Sequence, residues 1–377
     1  MNSSLPLQQS FLPVRGWSRN HWLRVFKPQD LHNKSKTGVC SGRDGSVEEQ
    51  YDVVVIGGGA AGLSAAVTLG RALRSVLVID AGEPRNAPAA GVHGFLSRDG
   101  MNPKELLAVG RDEVRKYGGD VVNGAAVAAR STAEPGAGAE PGFAVELADG
   151  RRVAARRLLV ATGLSDVLPD IGGIHERWGR DVLHCPYCHG WEVRDTKIGI
   201  LGTGPMSIHQ TLLFRQWSPN ITLFLNDVLK LSDEEWEQLA ARSISVVEGK
   251  VKSLVVRDDV LTGVVLESGK EFPVDAAVVA PRLEARSAVL ESLGIRSVGH
   301  PSGIGHYVES SGPAGATEVP GVWVAGNISD PTGQVMASAA AGNMAGAVIN
   351  ADLMMAETKA ATESRRLQAA GSPAAGR

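Results

Sequence analysis

Cysteine is scarce in this chain. Three in 377 residues are too few for a disulfide framework, a usage that suits a reducing cytoplasm. Charge of one sign is not in excess either: 38 basic against 41 acidic residues leave a net charge of -3. No electrostatic field therefore recommends a nucleic acid or an anionic membrane as a partner. Long apolar runs are missing as well. The alanine-rich stretch near residues 335–349 is too short, and too interrupted by Gly and Asn, to span a bilayer. What the chain has in quantity is glycine, 45 residues, and length enough for two full domains with cores.

The first glycine cluster has a recognisable setting. Asp52-Val53-Val54-Val55-Ile56 is an apolar run of the kind that makes a buried parallel strand. It runs into Gly57-Gly58-Gly59-Ala60-Ala61-Gly62, which fits G-x-G-x-x-G, and then into an Ala/Leu-rich helix through about Leu73. A second strand, Val76 to Ile79, ends at Asp80. Gly57 permits the tight turn, Gly59 lets backbone approach a pyrophosphate, and Gly62 lets helix and strand pack closely. The pyrophosphate sits at the helix N-terminus, beside Ala60 and Ala61, where free N–H groups and the dipole favour negative charge. Asp80 stands where a carboxylate accepts from a ribose hydroxyl. With strand, helix, second strand and acid all in place, this is a dinucleotide site; the plainer alternative is a glycine-rich turn in an ordinary βαβ unit.

A second unit repeats the topology with thinner chemistry. Lys197 to Leu201 is a strand, Gly202-Thr203-Gly204-Pro205-Met206-Ser207 a turn, and a helix follows to about Trp217. The strand Ile221 to Leu225 ends at Asn226-Asp227. Ser207 replaces the third glycine, Met206 is bulky beside the turn, and Pro205 brings no N–H to a phosphate. A 2′-phosphate needs arginine near the end of the second strand, and only Lys230 is nearby. Asp227 could hold a 2′-hydroxyl instead. The pattern argues against NADPH, leaves NADH open, and allows a relic fold that binds neither.

Between the two units lies His184-Cys185-Pro186-Tyr187-Cys188-His189-Gly190. A C-x-x-C pair places two thiols within disulfide reach across one turn and often carries a depressed thiolate pKa. Taken alone it says redox or metal. A zinc site would need a second ligand pair, and Cys40 is the only other cysteine; no metal is expected. C-x-x-C-H is also the c-type haem attachment pattern, but that needs an exported chain, and no apolar signal segment stands at the N-terminus. C-P-Y-C occurs in glutaredoxins after the first strand of a small domain, whereas here it separates two dinucleotide-type units. What decides it is the dinucleotide fold on either side: the chain reads as a flavoprotein that moves electrons between a flavin and a dithiol. His189 is the natural base beside Cys188, because an imidazole titrates near neutral pH, and His184 could share the role.

The chain resembles the low-molecular-weight thioredoxin reductase family over about residues 51 to 355. Four ordered motifs carry the resemblance: Gly57 to Gly62, Ala161-Thr162-Gly163 at the first crossover, Cys185-Pro186-Tyr187-Cys188, and Val324-Ala325-Gly326-Asn327. It implies an α/β fold of two Rossmann-like, three-layer ββα-type dinucleotide-binding domains, the second inserted in the first. FAD would lie in the split outer domain, and the chain would form a homodimer. Cys188 would be the flavin-facing thiol and Cys185 the one that exchanges with substrate. Asn327 would bond the ribityl or phosphate region of FAD. The alanine-rich helix from Gln334 and Val335 would point its N-terminus at the flavin ring, and Ser338 would serve close packing.

Three departures matter. His189 stands where these reductases have an aspartate, Asn327 where their G-D motif has one, and the basic cluster for a 2′-phosphate is absent. These departures resemble a branch of the family, the FAD-dependent dithiol oxidases of the holomycin and gliotoxin type. Those close disulfides in dithiolopyrrolones, epidithiodiketopiperazines and disulfide-bridged depsipeptides. The resemblance implies electron flow from a small-molecule dithiol through Cys185 and Cys188 to FAD and O2. The alternatives are a reductase of a thioredoxin-like protein, fed by NAD(P)H or ferredoxin, and a non-catalytic flavin redox sensor.

The expected organisation is a disordered extension over 1–50, an FAD-binding domain over 51–165 and 286–355, an NAD(P)-binding-like domain over 166–285, and a disordered tail over 356–377. The first 29 residues lack acids, a hint of a transit peptide, with Val47 an alternative start. Residues 133–142 read as an exposed hairpin loop. A cytoplasmic protein is the expectation.

Overall fold

The computed structural model describes residues 38–41, 47–133, 140–204 and 206–371. By internal contacts the chain divides into Met1–Gly38 and Val39–Arg377; the architecture below is that of the second unit.

The strand Val47–Ile56 is the axis of the outer domain. Its Val53, Val54 and Val55 are fully buried, as expected of a parallel strand covered on both faces. Because side chains alternate, Val53 and Val55 join Leu69, Ile349 and Leu353 on the helical side. Val54 and Ile56 join Phe143, Leu158 and Leu290 on the other. Parallel pairing continues to Val76–Asp80 and Asp120–Asn123 on one flank, and to Arg152–Val160 on the other. Val322–Val324 pairs parallel with Arg152–Val160 and completes the parallel set. Phe143–Leu147 and Ala126–Ser131 extend the sheet antiparallel.

Helix Ala60–Arg71 lies against the long helix Val335–Gly371. A methyl group on Gly342 would come within 1.9 Å of the Ala61 carbonyl oxygen, so the two backbones meet through small residues.

The inserted domain has its own parallel sheet, in the order Ser245–Val247, Ile221–Phe224, Ile198–Leu201, Ala276–Val279, Val182–Leu183. An antiparallel sheet of Val251–Arg257, Val260–Leu266 and Glu271–Pro273 flanks it. Its two connections to the outer domain run side by side. Leu164–Val167 pairs antiparallel with Arg282–Ala285, and Arg286 N donates to Gly163 O at 3.0 Å.

Both ends differ from the expected organisation. Gln50 pairs with Ala154 in the sheet, so residues 47–50 belong to the domain; residues 1–37 and 42–46 of the expected extension lie outside the described residues. At the other end the helix continues to Gly371, correcting the disordered tail over 356–371. The segment is rich in Ala, Glu, Lys and Arg, which are strong helix formers. Glu357 also anchors it, accepting from Arg74 at 2.6 Å and Arg156 at 2.8 Å. Residues 133–142 do join two antiparallel strands, although 134–139 lie outside the described residues. Among the described residues, no helix is long and apolar enough to cross a membrane.

Candidate active site

A cavity of about 1090 Å³ lies between the first glycine turn, the start of the long helix and the face of the inserted domain that carries the cysteines. Both cysteines of the C-x-x-C pair, both flanking histidines and every flavin-site residue singled out from the sequence line it except Gly62; Ser207 and Asp227 of the second glycine unit do not. Gly62 sits behind the wall, where a methyl group would come within 1.9 Å of the Gly57 carbonyl oxygen.

At the turn, Gly57 has φ +109°, and a side chain there would strike the Ala161 carbonyl. Gly59 faces open space and caps the helix with no side-chain hydrogen bond. The first-turn N–H groups are left to meet an anion. Asp80 Oδ1 accepts from Gly82 N at 3.0 Å, and Arg111 Nη1 lies 3.5 Å from its Oδ2. Gly58, a free position in the motif, is constrained too: a methyl group there would lie 2.4 Å from the Asp80 carboxyl carbon.

Thr162 Oγ1 donates to Arg286 O at 2.7 Å, tying Ala161, Thr162 and Gly163 to the returning chain. Beside them Arg85 makes a bidentate pair with Asp166 at 2.8 and 2.7 Å. The sequence carries no local signal for that pair, because its members lie on different elements.

At the far end Gly326 has φ +79°. The Asn327 side-chain amide donates to Asp330 O at 2.9 Å and Gly333 O at 2.7 Å. Its N–H groups hold the loop that delivers Gln334 and Val335 to the helix start, so toward a cofactor Asn327 offers only its Oδ1, as an acceptor.

The cysteines occupy one helical turn, Pro186–His189, with Cys185 as its N-cap. They form a disulfide with a Cα–Cα distance of 5.3 Å, and both are half-buried. Burial pushes the His189 imidazole below its ordinary pKa; Glu192 opposes the shift and His93 adds to it. Burial likewise lowers His184. His184 Nδ1 lies 3.1 Å from Val279 O, and Gln210 Nε2 donates to the His184 carbonyl at 3.0 Å. Gln210 was invisible in the sequence, lying mid-helix with no motif around it.

The second glycine turn is closed from within. Thr203 N donates to the buried Ser207 hydroxyl at 3.1 Å, and Thr203 Oγ1 donates to Ala280 O at 2.9 Å. Asn226 has φ +54°; its amide donates to Gly202 O at 3.0 Å and its Oδ1 accepts from Val251 N at 2.8 Å. It ties strands together. Pro205 lies outside the described residues.

A dinucleotide cradle joined by one cavity to a cysteine pair defines a class: FAD-dependent thiol–disulfide oxidoreductases built of two Rossmann-like domains. The open space at Gly59, the uncapped helix and Asp80 fit the pyrophosphate and ribose of FAD.

The chain belongs to the pyridine nucleotide-disulphide oxidoreductase family, whose profile matches residues 51–346. The thioredoxin reductase sirT of Leptosphaeria maculans is 30% identical over 324 residues, covering 82% of this chain and 96% of that protein. The thioredoxin reductase tcpT of Claviceps purpurea is 30% identical, covering 82% and 97%. Among solved structures, HlmI superposes with a TM-score of 0.80 at 42% identity, covering 88% of this chain and 100% of that one.

Proposed function

We propose that this enzyme oxidises a small-molecule dithiol to its disulfide through Cys185, Cys188 and FAD, with O2 as the final acceptor. The net reaction is R(SH)2 + O2 → RS2 + H2O2. The observation that carries the direction is the bond from Thr203 N to Ser207. A donor that a pyrophosphate would need is already satisfied, and after the second strand Lys230 is the one basic residue near in sequence, with no arginine in the place that reads a 2′-phosphate.

A substrate thiolate attacks Cys185 Sγ, forming a mixed disulfide and releasing Cys188 as thiolate. The second substrate thiol, deprotonated, attacks the substrate sulfur of that mixed disulfide and releases Cys185. Two electrons and two protons thus pass to the cysteine pair. His189, held neutral by its burial, takes the thiol proton. When bound, FAD would supply the two-electron acceptor for the cysteine pair, with O2 as the outlet for its electrons. Gly57, Gly59, Ala60 and Ala61 would hold its pyrophosphate and Asp80 its ribose; Ala161, Thr162, Gly163, Gly326 and Asn327 would line its length. Gln334 and Val335 would set the helix end at its ring. This reading keeps the outer domain split around the insert at 166–285, with its ends extended to Val47 and Gly371, in a cytoplasmic homodimer.

A reductase fed by a nicotinamide is the second reading. It is favoured by Gly204, which faces open space, and by the exposed Asp227. An anaerobic absorbance titration with NADPH, NADH and dithiothreitol in separate cuvettes separates the two. Bleaching of the flavin by the dithiol alone, reversed by air with peroxide formed, supports the oxidase. Rapid bleaching by either nicotinamide would sink it.

A further inference from the structure

Residues 81–102 connect the strand Val76–Asp80 to the helix Pro103–Lys116. This strap belongs to the outer domain and meets the insert at separate points along its length. Arg85 pairs with Asp166 at 2.7 Å. Pro88 lies against Gly179, where a methyl group would come within 2.6 Å of the Pro88 Cβ. At the far end His93 faces Glu192 across the domain boundary. Glu192 N donates to His189 O at 3.2 Å, so this last contact reaches the chain just behind the cysteine turn.

The strap is braced around His93. Val92 N donates to Met101 O and Gly100 N to Val92 O, each at 2.8 Å. Gly94 N donates to Asp99 Oδ1 at 2.8 Å, and Asp99 Oδ2 lies 3.5 Å from His93 Nδ1. Nε2 of the same ring lies 3.6 Å from Glu192 Oε1. A carboxylate therefore faces each ring nitrogen. A neutral imidazole has one N–H and would turn a lone pair toward one of them; the imidazolium offers a proton to both. The charged and titratable groups facing the ring are Asp99 from its own strap and, from the insert, Glu192 and His189. Arg85 and Pro88 hold in any protonation state of the ring, whereas the contact nearest the cysteines is one that a proton can switch.

We infer that His93 is a positioning residue: as an imidazolium bridging Asp99 and Glu192 it fastens the cysteine turn to the flavin side, and it frees that turn on losing its proton. The inference goes beyond the oxidase proposal. It rests on electron exchange between cysteines and flavin, which the oxidase and the reductase readings share.

The test uses the anaerobic holoenzyme with dithiothreitol and reads two steps separately. Acid quench and alkylation follow opening of the Cys185–Cys188 disulfide, and stopped-flow absorbance follows bleaching of the flavin. At pH 6, His93→Gln should lower the limiting bleaching rate about fivefold, the scale of a partly exposed ion pair, with disulfide opening unslowed. Glu192→Gln should do the same, and the double variant should lose no more than either single one. His93→Lys keeps a charge through pH 9 and should restore the rate. The ratio of wild-type to lysine-variant bleaching should then fall about fivefold from pH 6 to pH 9.

The flavin spectrum reports folding of each variant, and position 192 approaches the bridge from the other domain should position 93 not tolerate change. Bleaching rates unmoved in folded variants overturn the bridge. So does a lysine variant as slow as the glutamine one, or a loss of both steps together, which marks a merely structural role. No bleaching of the wild type by dithiothreitol overturns the exchange between cysteines and flavin, and this inference with it.

Discussion

Gln210 fastens the chain one residue before the reactive disulfide: its Nε2 donates to the His184 carbonyl at 3.0 Å. That carbonyl can only accept, so the amide nitrogen must face it. The His184 ring is fixed too. Val279 O and the Gln210 amide nitrogen each lie 3.1 Å from its Nδ1, so ring and chain are held by the same side chain. Replacing Gln210 with Ala should slow dithiol-driven flavin bleaching about tenfold, the equivalent of about 1.4 kcal/mol and the scale of a lost buried hydrogen bond. A purely structural role would lower the melting temperature without moving the bleaching rate.

The cysteines have separable duties. Cys188→Ser should leave FAD bound and the protein yellow while dithiol oxidation falls at least about a thousandfold. The same loss is expected for Cys185→Ser. Retained steady-state turnover in either variant would remove that cysteine from the mechanism.

The imidazole of His189 sets a pH dependence whose sign can be worked out. Its folded pKa is depressed below the ordinary 6.5, chiefly by burial, so it stays neutral and able to accept a proton at pH 7. Dithiol oxidation should therefore hold its rate below pH 6.5 before falling. The folded form binds the proton less readily than the unfolded chain. Stability from this group is present above the unfolded pKa and is lost as pH falls from there through the depressed folded pKa. Thermal melts at pH 7.5 and 5.5 should show a smaller acid-induced drop for His189→Asn than for the wild type.

Glu357 gives the helical tail a structural role. Arg74 and Arg156 hold its carboxyl down at about 2, so its contribution is present above the ordinary 4.5 and fades as pH falls toward 2. The side chain is 45% exposed, and screening limits the effect to about 1 kcal/mol. Truncation after Ala356 should lower the melting temperature at pH 7 by a few degrees, as should Glu357→Gln; an unchanged melt in both would show that the clamp contributes nothing.

What the sequence revealed here is what local geometry demands. Gly57, Gly59 and Gly62 were legible because each removes a side chain at a spot set by a single turn. Cys185 and Cys188 were legible because their spacing is itself the chemistry. Gly58 was not, because its constraint comes from Asp80, on the neighbouring strand. Arg85, Asp166 and Gln210 act through partners far off in the chain, which no window of residues contains. Asn226 stood where a phosphate reader belongs, and only the fold shows both ends of its amide holding backbone. The tail misled because an Ala-rich, charged segment reads alike as coil or helix until Arg74 and Arg156 are placed beside it.

The parallel set of the outer sheet is completed by Val322–Val324 on Arg152–Val160, across the whole inserted domain. During synthesis the insert, contiguous from Val182 to Val279, leaves the ribosome complete while the outer sheet still waits for that strand and for the helix beyond it. The flavin cradle can close only after both have docked. The cysteine-bearing domain is therefore finished before the cofactor can be captured, and a nascent chain cannot hold bound flavin without its thiol relay.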